Sequence, residues 1–195
     1  MSESIDIESI RAEALRKLGR NVVNFQKVET CLKCLFMVSN IQGTPTNLAD
    51  RQRKKATKVR KASLGTLAEA FHRNAFGDES KSEVPWDLSE FWISFSMKID
   101  ADADAVKHRK RALSSLVSER NKLIHQDLVR FDHNSPQSCR DLIHILDAQN
   151  VRILQQLSEL KLLIDAFKAS ISSLQSLIES DEFLRHIMQL DPHDA

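Results

Sequence analysis

The sequence predicts an all-α fold, an elongated up-and-down helical bundle that contains two very long helices. Glycine and proline number four each among 195 residues, too few for the frequent turns of a β-sandwich or barrel. Apolar residues recur instead at helical spacing over most of the chain. Aromatic residues make up only 6% and tyrosine is absent, which argues against a sheet that stacks RNA bases on aromatic rings.

Charge and cysteine content narrow the class of protein further. The chain has 28 basic and 27 acidic residues, so any affinity for a polyanion has to come from local clusters. Three cysteines, Cys31, Cys34 and Cys139, do not make a disulfide framework or a zinc site, which favours a reducing, cytoplasmic location. No apolar run could span a membrane, and the acidic N-terminus has no apolar signal segment. We expect one helical domain over residues 1–190.

Two helices are predicted in the first part of the chain. Apolar residues at steps of three and four predict a helix over residues 4–41, and the Gly43-Thr44-Pro45 turn ends it. A second helix is predicted over residues 47–75. Its first half is strongly basic, and its second half carries an apolar face.

Residues 78–100 are predicted to form a non-helical insertion. Between residues 91 and 99, apolar and polar residues alternate, and this period of two is typical of a half-buried strand. The segment 84–99 would then be a short β-hairpin or an extended arm. The alternative is a short amphipathic helix that begins at Pro85.

The rest of the chain is predicted to be helical. The spacing predicts a third helix over residues 102–131, a fourth over residues 136–178, and a short last helix over residues 182–190. The fourth helix carries a coiled-coil-like seam in which positions repeat at steps of three and four. Its 43 residues would extend roughly 64 Å, so we expect it to pack on the first helix and partly on another chain. The seam comprises Leu142, Leu146, Gln149, Ile153, Leu157, Leu160, Ile164, Phe167, Ile171, Leu174 and Ile178.

Two clusters of cations are candidate RNA-binding residues. Cations at phosphates favour binding through counterion release and do not read base sequence. The alternative is a solvated helix face beside acidic loops. The first cluster is Arg51, Arg53, Lys54, Lys55, Lys58, Arg60 and Lys61, and the second is Lys107, Arg109, Lys110 and Arg111.

The sharpest chemical signal is the trio Arg120, Asn121 and His125. Asn121 and His125 are four residues apart and therefore share a helix face, whereas only the long side chain of Arg120 can reach toward them. Histidine exchanges protons near neutral pH, arginine can hold phosphate oxygens, and asparagine can orient either. Such a trio can cleave RNA without a metal or cofactor. The alternative is structural, with Arg120 paired to Glu119 or a neighbour and His125 as a capping or core residue.

The Arg-Asn dipeptide also occurs at Arg20-Asn21 and at Arg73-Asn74. Neither copy is followed by histidine at the matching position. The dipeptide alone therefore indicates little, and the histidine is needed for the interpretation.

The segment Arg120-Asn121-Lys122-Leu123-Ile124-His125 in a helical chain resembles the R-N-x-x-x-H motif of the HEPN (higher eukaryotes and prokaryotes nucleotide-binding) family, over roughly residues 47–180. The resemblance implies a metal-independent endoribonuclease of the kind found in toxin–antitoxin, abortive-infection and CRISPR systems. It implies RNA as substrate and an antitoxin or other regulatory partner. It also implies a homodimer whose two copies form one composite site, with His125 as acid or base, Arg120 on the phosphate and Asn121 orienting. The long fourth helix and segment 84–99 are not parts of a minimal HEPN bundle.

Two other functions remain open at this point. One is a non-enzymatic helical adaptor that dimerises through its long helix and binds RNA optionally. The other is a HEPN domain that only binds nucleotides beside a nucleotidyltransferase partner.

Overall fold

Most of the described residues lie in helices. A computed structural model describes residues 2–76, 92–96 and 98–181, together with Phe183 and Arg185. The described part is predominantly helical, which confirms the predicted fold class. Its elements are α1 (Ser2–Val38), β1 (Asn40–Gly43), α2 (Leu48–Lys61), α3 (Leu64–Phe76), β2 (Ile93–Ser96), α4 (Ala103–Lys122), a π-helical turn (Leu123–Asp127), α5 (Leu128–Arg130) and α6 (Pro136–Ile178).

Successive long helices alternate in direction. Lys55 of α2 donates to the carbonyl of Met37 in α1 (3.1 Å), and Lys33 of α1 donates to the carbonyl of Arg60 in α2 (3.5 Å). Later residues of α2 thus meet earlier residues of α1, so α2 runs back along α1. After a two-residue link, α3 reverses again. A Cβ built on Gly65, at the start of α3, would lie 3.4 Å from Val117, late in α4. At the other end of α3, Phe76 lies beside Arg109, early in α4, so the two helices are antiparallel, as an up-and-down bundle requires.

The first and last long helices, α1 and α6, therefore run in the same direction. Asn21 bonds Gln149, 128 residues further along the chain, and Asn24 bonds Asn150, 126 residues further along. A nearly constant sequence offset between partners is the mark of parallel helices. At this offset the end of α1 lies beside about residue 165 of α6, so roughly the last 20 Å of α6 extends beyond α1.

The apolar core lies between α1, α3, α4 and α6, and a polar layer crosses it. Asn21 is fully buried and donates to the carbonyl of Leu146 (2.7 Å) and to Oε1 of Gln149 (3.0 Å). Gln149 in turn donates to the carbonyl of Glu119 in α4 (3.4 Å). Three helices are thus joined at one level. The largest fully buried apolar side chains are Leu32, Leu35, Leu67, Leu116, Leu123, Leu146 and Ile153.

The single helix predicted over residues 47–75 is wrong, because the structure divides it into α2 and α3. Ala62 has extended backbone angles and its N–H bonds the carbonyl of Val59 (3.2 Å). Ser63 then accepts at its side chain from the N–H of Thr66 (3.3 Å). This is N-capping by a serine, and it starts a new helix where the apolar pattern runs through.

The first helix is shorter than predicted, because α1 ends at Val38 and residues 40–43 form β1. β1 pairs antiparallel with β2, with Ile41 opposite Phe95. The strand predicted from the alternating pattern is therefore present in β2, but its partner is β1, whose first two residues were expected to be helical and whose Gly43 was expected in a turn. Residues 84–91 and Met97 of the predicted arm lie outside the described residues, as does most of the predicted helix 182–190.

The seam of α6 is buried along α1 and exposed beyond it. α6 has the predicted bounds, and Pro136 follows the N-cap Ser135, whose side chain accepts from the N–H of Ser138. Seam residues from Leu142 to Phe167 are mostly buried, whereas Ile171 and Ile178 are 36% and 45% exposed. Within the described part of the chain, the end of the seam is thus uncovered.

No helix among the described residues is both long and apolar enough to cross a membrane.

The polar layer gives a stability prediction. Replacing Asn21 by Ala removes the donor to Oε1 of Gln149 and one of the donors to the carbonyl of Leu146, which also accepts from Arg20 (3.3 Å). We therefore expect a loss of about 1–3 kcal/mol of unfolding free energy. Gln149→Ala should cost a similar amount. Because the two residues bond one another, the double variant should lose less than the sum of the single losses. Urea unfolding of the four proteins measures this coupling.

The control is Gln155→Ala, an exposed glutamine on the same helix, which should change stability by no more than about 0.5 kcal/mol. Additive losses in the double variant would contradict the inferred coupling.

Candidate nucleic-acid site

One face of α4 and of the π-helical turn that follows it is exposed along its whole length. It begins with the cations Lys107, Lys110 and Arg111 and ends with Asn121 and His125, all of them exposed. Residues 107 and 125 are 18 apart, which is five α-helical turns, so they start from nearly the same direction around the axis. Serines fill the middle of the face, namely Ser114, Ser115 and Ser118.

His125 lies in the middle of a π-helical turn. Within this turn the N–H of Leu128 bonds the carbonyl of Leu123, five residues back. Leu123 is fully buried and Leu128 packs against the core, although α-helical geometry would separate them by about 140° around the axis. The wider turn brings both leucines to the core, and single π turns occur frequently at functional sites.

Asn121 and His125 line the same open groove of about 520 Å³. Their shared face agrees with the four-residue spacing in the sequence. The imidazole makes no hydrogen bond or ion pair with any of the described residues, so both of its nitrogens are open to a ligand. The groove is lined by Ser115, Ser118, Glu119, Asn121, Lys122, His125 and Gln126.

Arg120 starts from another side of α4 and does not line the groove itself, but its side chain reaches Asn121. Its Nη1 donates to Oδ1 of Asn121 at 3.3 Å. The side chain is half-buried and also borders a small cleft against α1, beside Val22 and Phe25. The structure thus brings Arg120 to Asn121, and no direct contact joins Arg120 to His125 within the described part of the chain.

The structure departs from the structural alternative for the trio at two points, the partner of Glu119 and the burial of His125. Arg152 of α6 donates two hydrogen bonds to the carboxylate of Glu119 (2.7 and 3.0 Å), and this ion pair raises the pKa of Arg152. Glu119 is therefore not the partner of Arg120. His125 is exposed, so it is not a core residue.

Another carboxylate near the groove is also paired with a cation. Lys122 bonds Asp127 at 2.7 Å. Together with the pair formed by Glu119 and Arg152, this reduces the repulsion that a phosphate would meet in the groove.

The Arg-Asn dipeptide at Arg20 and Asn21 shows what the local contact alone means. Arg20 donates to Oδ1 of Asn21 at 3.1 Å, much as Arg120 does to Asn121. Asn21, however, is fully buried in the polar layer. A hydrogen bond from an arginine to the next asparagine is therefore an ordinary local contact within a helix. Asn121 differs from Asn21 because it is exposed and lies beside a histidine.

The seven cations predicted in the first cluster do not share one face. Arg51, Lys54, Lys55 and Lys58 follow steps of three, one and three along α2 and line a groove between α2 and α3. Arg53, Arg60 and Lys61 are exposed and do not line that groove. Arg53 forms an ion pair with Asp50 (3.1 Å).

Lys55 is tied to the backbone at the end of α1. Its Nζ donates to the carbonyls of Asn40 (2.6 Å) and Met37 (3.1 Å) and lies 5.3 Å from the ring centre of Phe36. Burial lowers the pKa of Lys55 to about 8. A lysine that satisfies carbonyls at a helix C-terminus has a structural role.

The second cluster is divided as well. Lys107, Lys110 and Arg111 lie on the exposed face that leads to His125, whereas Arg109 is half-buried with its guanidinium 6.0 Å from the ring centre of Phe76. Arg109 is therefore placed for packing rather than for solvent.

Sequence reasoning missed two parts of this site. Residue types do not reveal the π turn, because it depends on how Leu123 and Leu128 pack against other helices. Arg152 is distant in the sequence and sits among ordinary polar residues of α6, so nothing predicted its pairing with Glu119.

No protein-family model, curated protein or solved structure matches this chain. Among residues 2–76, 92–96 and 98–181, no three His, Cys, Asp or Glu side chains are grouped closely enough to hold a metal ion.

The position of Lys55 gives a second prediction. Lys55→Met removes the donor to two carbonyls, so we expect a loss of about 1–2 kcal/mol of unfolding free energy. Lys54→Met changes the next residue, which is exposed, and should change stability by no more than about 0.5 kcal/mol. Thermal or urea unfolding compares the two variants, and equal stabilities would contradict the structural role of Lys55.

Proposed function

We propose that this protein is a metal-independent endoribonuclease of HEPN type that acts on RNA in the cytoplasm. The observation that carries the proposal is the exposed groove that contains Asn121 and His125, with the guanidinium of Arg120 beside Asn121. These three groups can position a phosphodiester, stabilise charge on it and transfer protons.

The reaction uses the 2′-hydroxyl of RNA as the nucleophile. A base accepts the proton of that hydroxyl while the oxygen forms a bond to phosphorus. The bond from phosphorus to the 5′-oxygen breaks, and an acid donates a proton to the leaving oxygen. The products are a 2′,3′-cyclic phosphate and a 5′-hydroxyl, without any metal or cofactor.

A composite site would divide these two proton transfers. A single imidazole cannot be neutral, as a base must be, and protonated, as an acid must be, at the same time. Two copies of His125 would therefore supply the base and the acid in one catalytic cycle. Arg120 would neutralise the phosphate. This is the physical reason for proposing a homodimer in which two grooves face each other.

The exposed face of α4 supplies a path for the strand. Lys107 lies about 27 Å along the axis from His125, and Lys110 and Arg111 lie between them. Phosphates several nucleotides from the cleaved bond would lie against these cations, which add affinity without sequence selectivity.

The first functional prediction concerns His125. In buffer with EDTA, wild-type protein should cleave single-stranded RNA to 3′ ends that carry a cyclic phosphate, and His125→Ala should lower the rate at least about 100-fold because it removes the proton-transfer group. Arg120→Ala should lower it comparably. Gel analysis of labelled RNA measures both rates.

The matched control is His144→Ala, since His144 is an exposed histidine on α6 away from the groove. It should keep the wild-type rate. Equal cleavage by wild type and His125→Ala, or no cleavage by folded wild type across a panel of RNAs, would refute the proposal.

The composite site requires an interface beside the groove. Val22 borders the cleft of Arg120 and is 45% exposed, and Val129, four residues after His125, is 78% exposed. We expect wild-type protein at micromolar concentration to sediment at twice the chain mass of 22.2 kDa. Val129→Asp should give the monomer and lose RNA cleavage together, because a charge in an apolar interface lacks solvation.

The exposed end of the α6 seam favours the second candidate function, a helical adaptor. Ile171→Asp tests it in the same sedimentation experiment. A monomer after Ile171→Asp, with a dimer after Val129→Asp, would favour the adaptor. The seam end lies roughly 20 residues, or about 30 Å, from the level of the polar layer and the motif, so a dimer formed there does not join the two grooves.

A further inference from the structure

The groove between α2 and α3 is shaped to receive a helix. Along α2, residues that line it recur at steps of three and four from Arg51 to Ala62, about 16 Å along the axis. Along α3, they recur at steps of four from Thr66 to Asn74. Because α3 runs back beside α2, each helix presents one stripe to the same groove of about 590 Å³. A third helix of about three turns would fit between the two stripes.

The floor of the groove is aliphatic. Val59 and Leu67 line it and are only 5% and 2% exposed. Ala62 and Ala70 also line it, and their short side chains leave room for a large side chain of an occupant. Phe36 is the one aromatic residue among the described residues that line the groove, and its ring already lies 5.3 Å from a lysine ammonium. Such a floor suits leucine or isoleucine side chains better than a stacked ring.

Charge along the groove is of one sign. Among the described residues that line it there is no carboxylate, and its four cations are Arg51, Lys54, Lys55 and Lys58. From the first to the last, these cations span one heptad of α2, about 10 Å. Carboxylates at steps of three and four on one face of a helix span the same distance. Such a compact anionic patch would relieve the repulsion among the four cations.

Two of these cations are held in place and two lie at the rim. Nζ of Lys55 donates to backbone carbonyls at the end of α1 and the start of β1. The guanidinium of Arg51 lies 5.3 Å from the ring centre of Trp92. Lys54 and Lys58 are exposed. An apolar centre with charges at its rim is the usual layout of a protein–protein interface, in which the charges select the partner and its orientation.

We propose that the groove between α2 and α3 docks an acidic amphipathic helix of another protein. Aliphatic side chains of that helix would lie on the floor, over Val59 and Leu67. Its carboxylates would pair with Arg51, Lys54 and Lys58, while Lys55 adds positive potential from its fixed position.

This docking surface is separate from the groove of His125. Phe36 in the docking groove and Phe25 beside Arg120 are eleven residues apart on α1, about 16 Å along the axis. A docked helix therefore leaves the groove of His125 open, so the surface recruits a partner rather than blocks the candidate RNA site. The proposal does not depend on RNA cleavage.

Fluorescence anisotropy with the full-length protein tests the proposal, and the probe is a labelled synthetic helix of about four turns. Leucines and glutamates lie on one face of this acidic peptide, and a control peptide has the same composition in shuffled order. The acidic peptide should bind at least about tenfold more tightly than the shuffled one, because only it meets the floor and the rim together. Equal affinities would show attraction between net charges alone and would overturn the proposal, as would no binding at millimolar concentration.

The floor is tested by a third peptide in which alanine replaces each leucine and the glutamates are kept. It should bind at least about tenfold more weakly than the acidic peptide, because less apolar surface is buried. Equal binding of the two would mean that the floor is not used, and the docking of an amphipathic helix would then be wrong.

A charge exchange tests the rim. Lys54→Glu/Lys58→Glu should bind the acidic peptide at least about tenfold more weakly than wild type does, and it should gain affinity for a peptide with lysine in place of glutamate. A variant that merely failed to fold would not show this gain. The control Arg53→Glu/Lys61→Glu makes the same change of charge at exposed residues of α2 that do not line the groove. It should alter the affinity for the acidic peptide less than about threefold.

Equal weakening by the two double variants, or no gain for the lysine peptide, would overturn the proposal. Other occupants would give different results. If an RNA dodecamer or a phosphatidylglycerol vesicle binds through Lys54 and Lys58 and the acidic peptide does not bind, the groove is a nucleic-acid or membrane surface and the proposal is wrong. If wild type sediments as a dimer and Lys54→Glu/Lys58→Glu as a monomer, the occupant is a second copy of this chain, which would overturn the proposal as well.

Discussion

The buried hydrogen bonds among Asn21, Gln149 and the Glu119 carbonyl set the register of the bundle. Asn21 lies in α1, Gln149 in α6, and Glu119 directly precedes Arg120 in α4. A polar residue in an apolar seam fixes the register of the partner helices, because a shift along the axis would leave buried polar groups unpaired. The ion pair of Arg152 with Glu119 holds the same level from outside. The height of the candidate site on the bundle thus follows from one polar layer.

The sequence predicted the elements whose signal is local. Helix α6 has the predicted bounds because Ser135 and Pro136 are recognised start signals, and β2 was predicted because residue types alternate. The break between α2 and α3 at Ser63 was missed because the apolar pattern continues across it. The start of α3 is marked by the capping hydroxyl of Ser63 alone. β1 was missed because its partner lies about fifty residues further along the chain, and pairing at that distance leaves no periodicity in β1 itself.

For the candidate site, too, the sequence predicted the features that depend on local spacing and missed those that depend on other elements. The shared groove of Asn121 and His125 follows from their spacing, and the reach of Arg120 to Asn121 follows from the length of its side chain. The π turn and the pairing of Glu119 depend on residues of other elements. Asn21, which the sequence offered only as a second copy of the Arg-Asn dipeptide, is the buried partner of Gln149. The same dipeptide supports the core at one place and is exposed to solvent at another, and only burial separates the two.

Packing also divides the basic residues into groups with different chemistry. The ammonium of Lys55 donates to backbone carbonyls and is therefore fixed in position. It contributes positive electrostatic potential to the groove rather than a flexible contact. Lys107, Lys110 and Arg111 are solvated and free to follow a strand, so their interaction with phosphates should decline steeply with salt. The cations of the groove between α2 and α3 lie within about two helical turns, and one of them, Lys55, is half-buried and therefore screened less by salt than the cations on the open face of α4. The two basic clusters are therefore suited to different anions. A compact anion fits the cluster between α2 and α3, and an extended anion fits the cluster along α4.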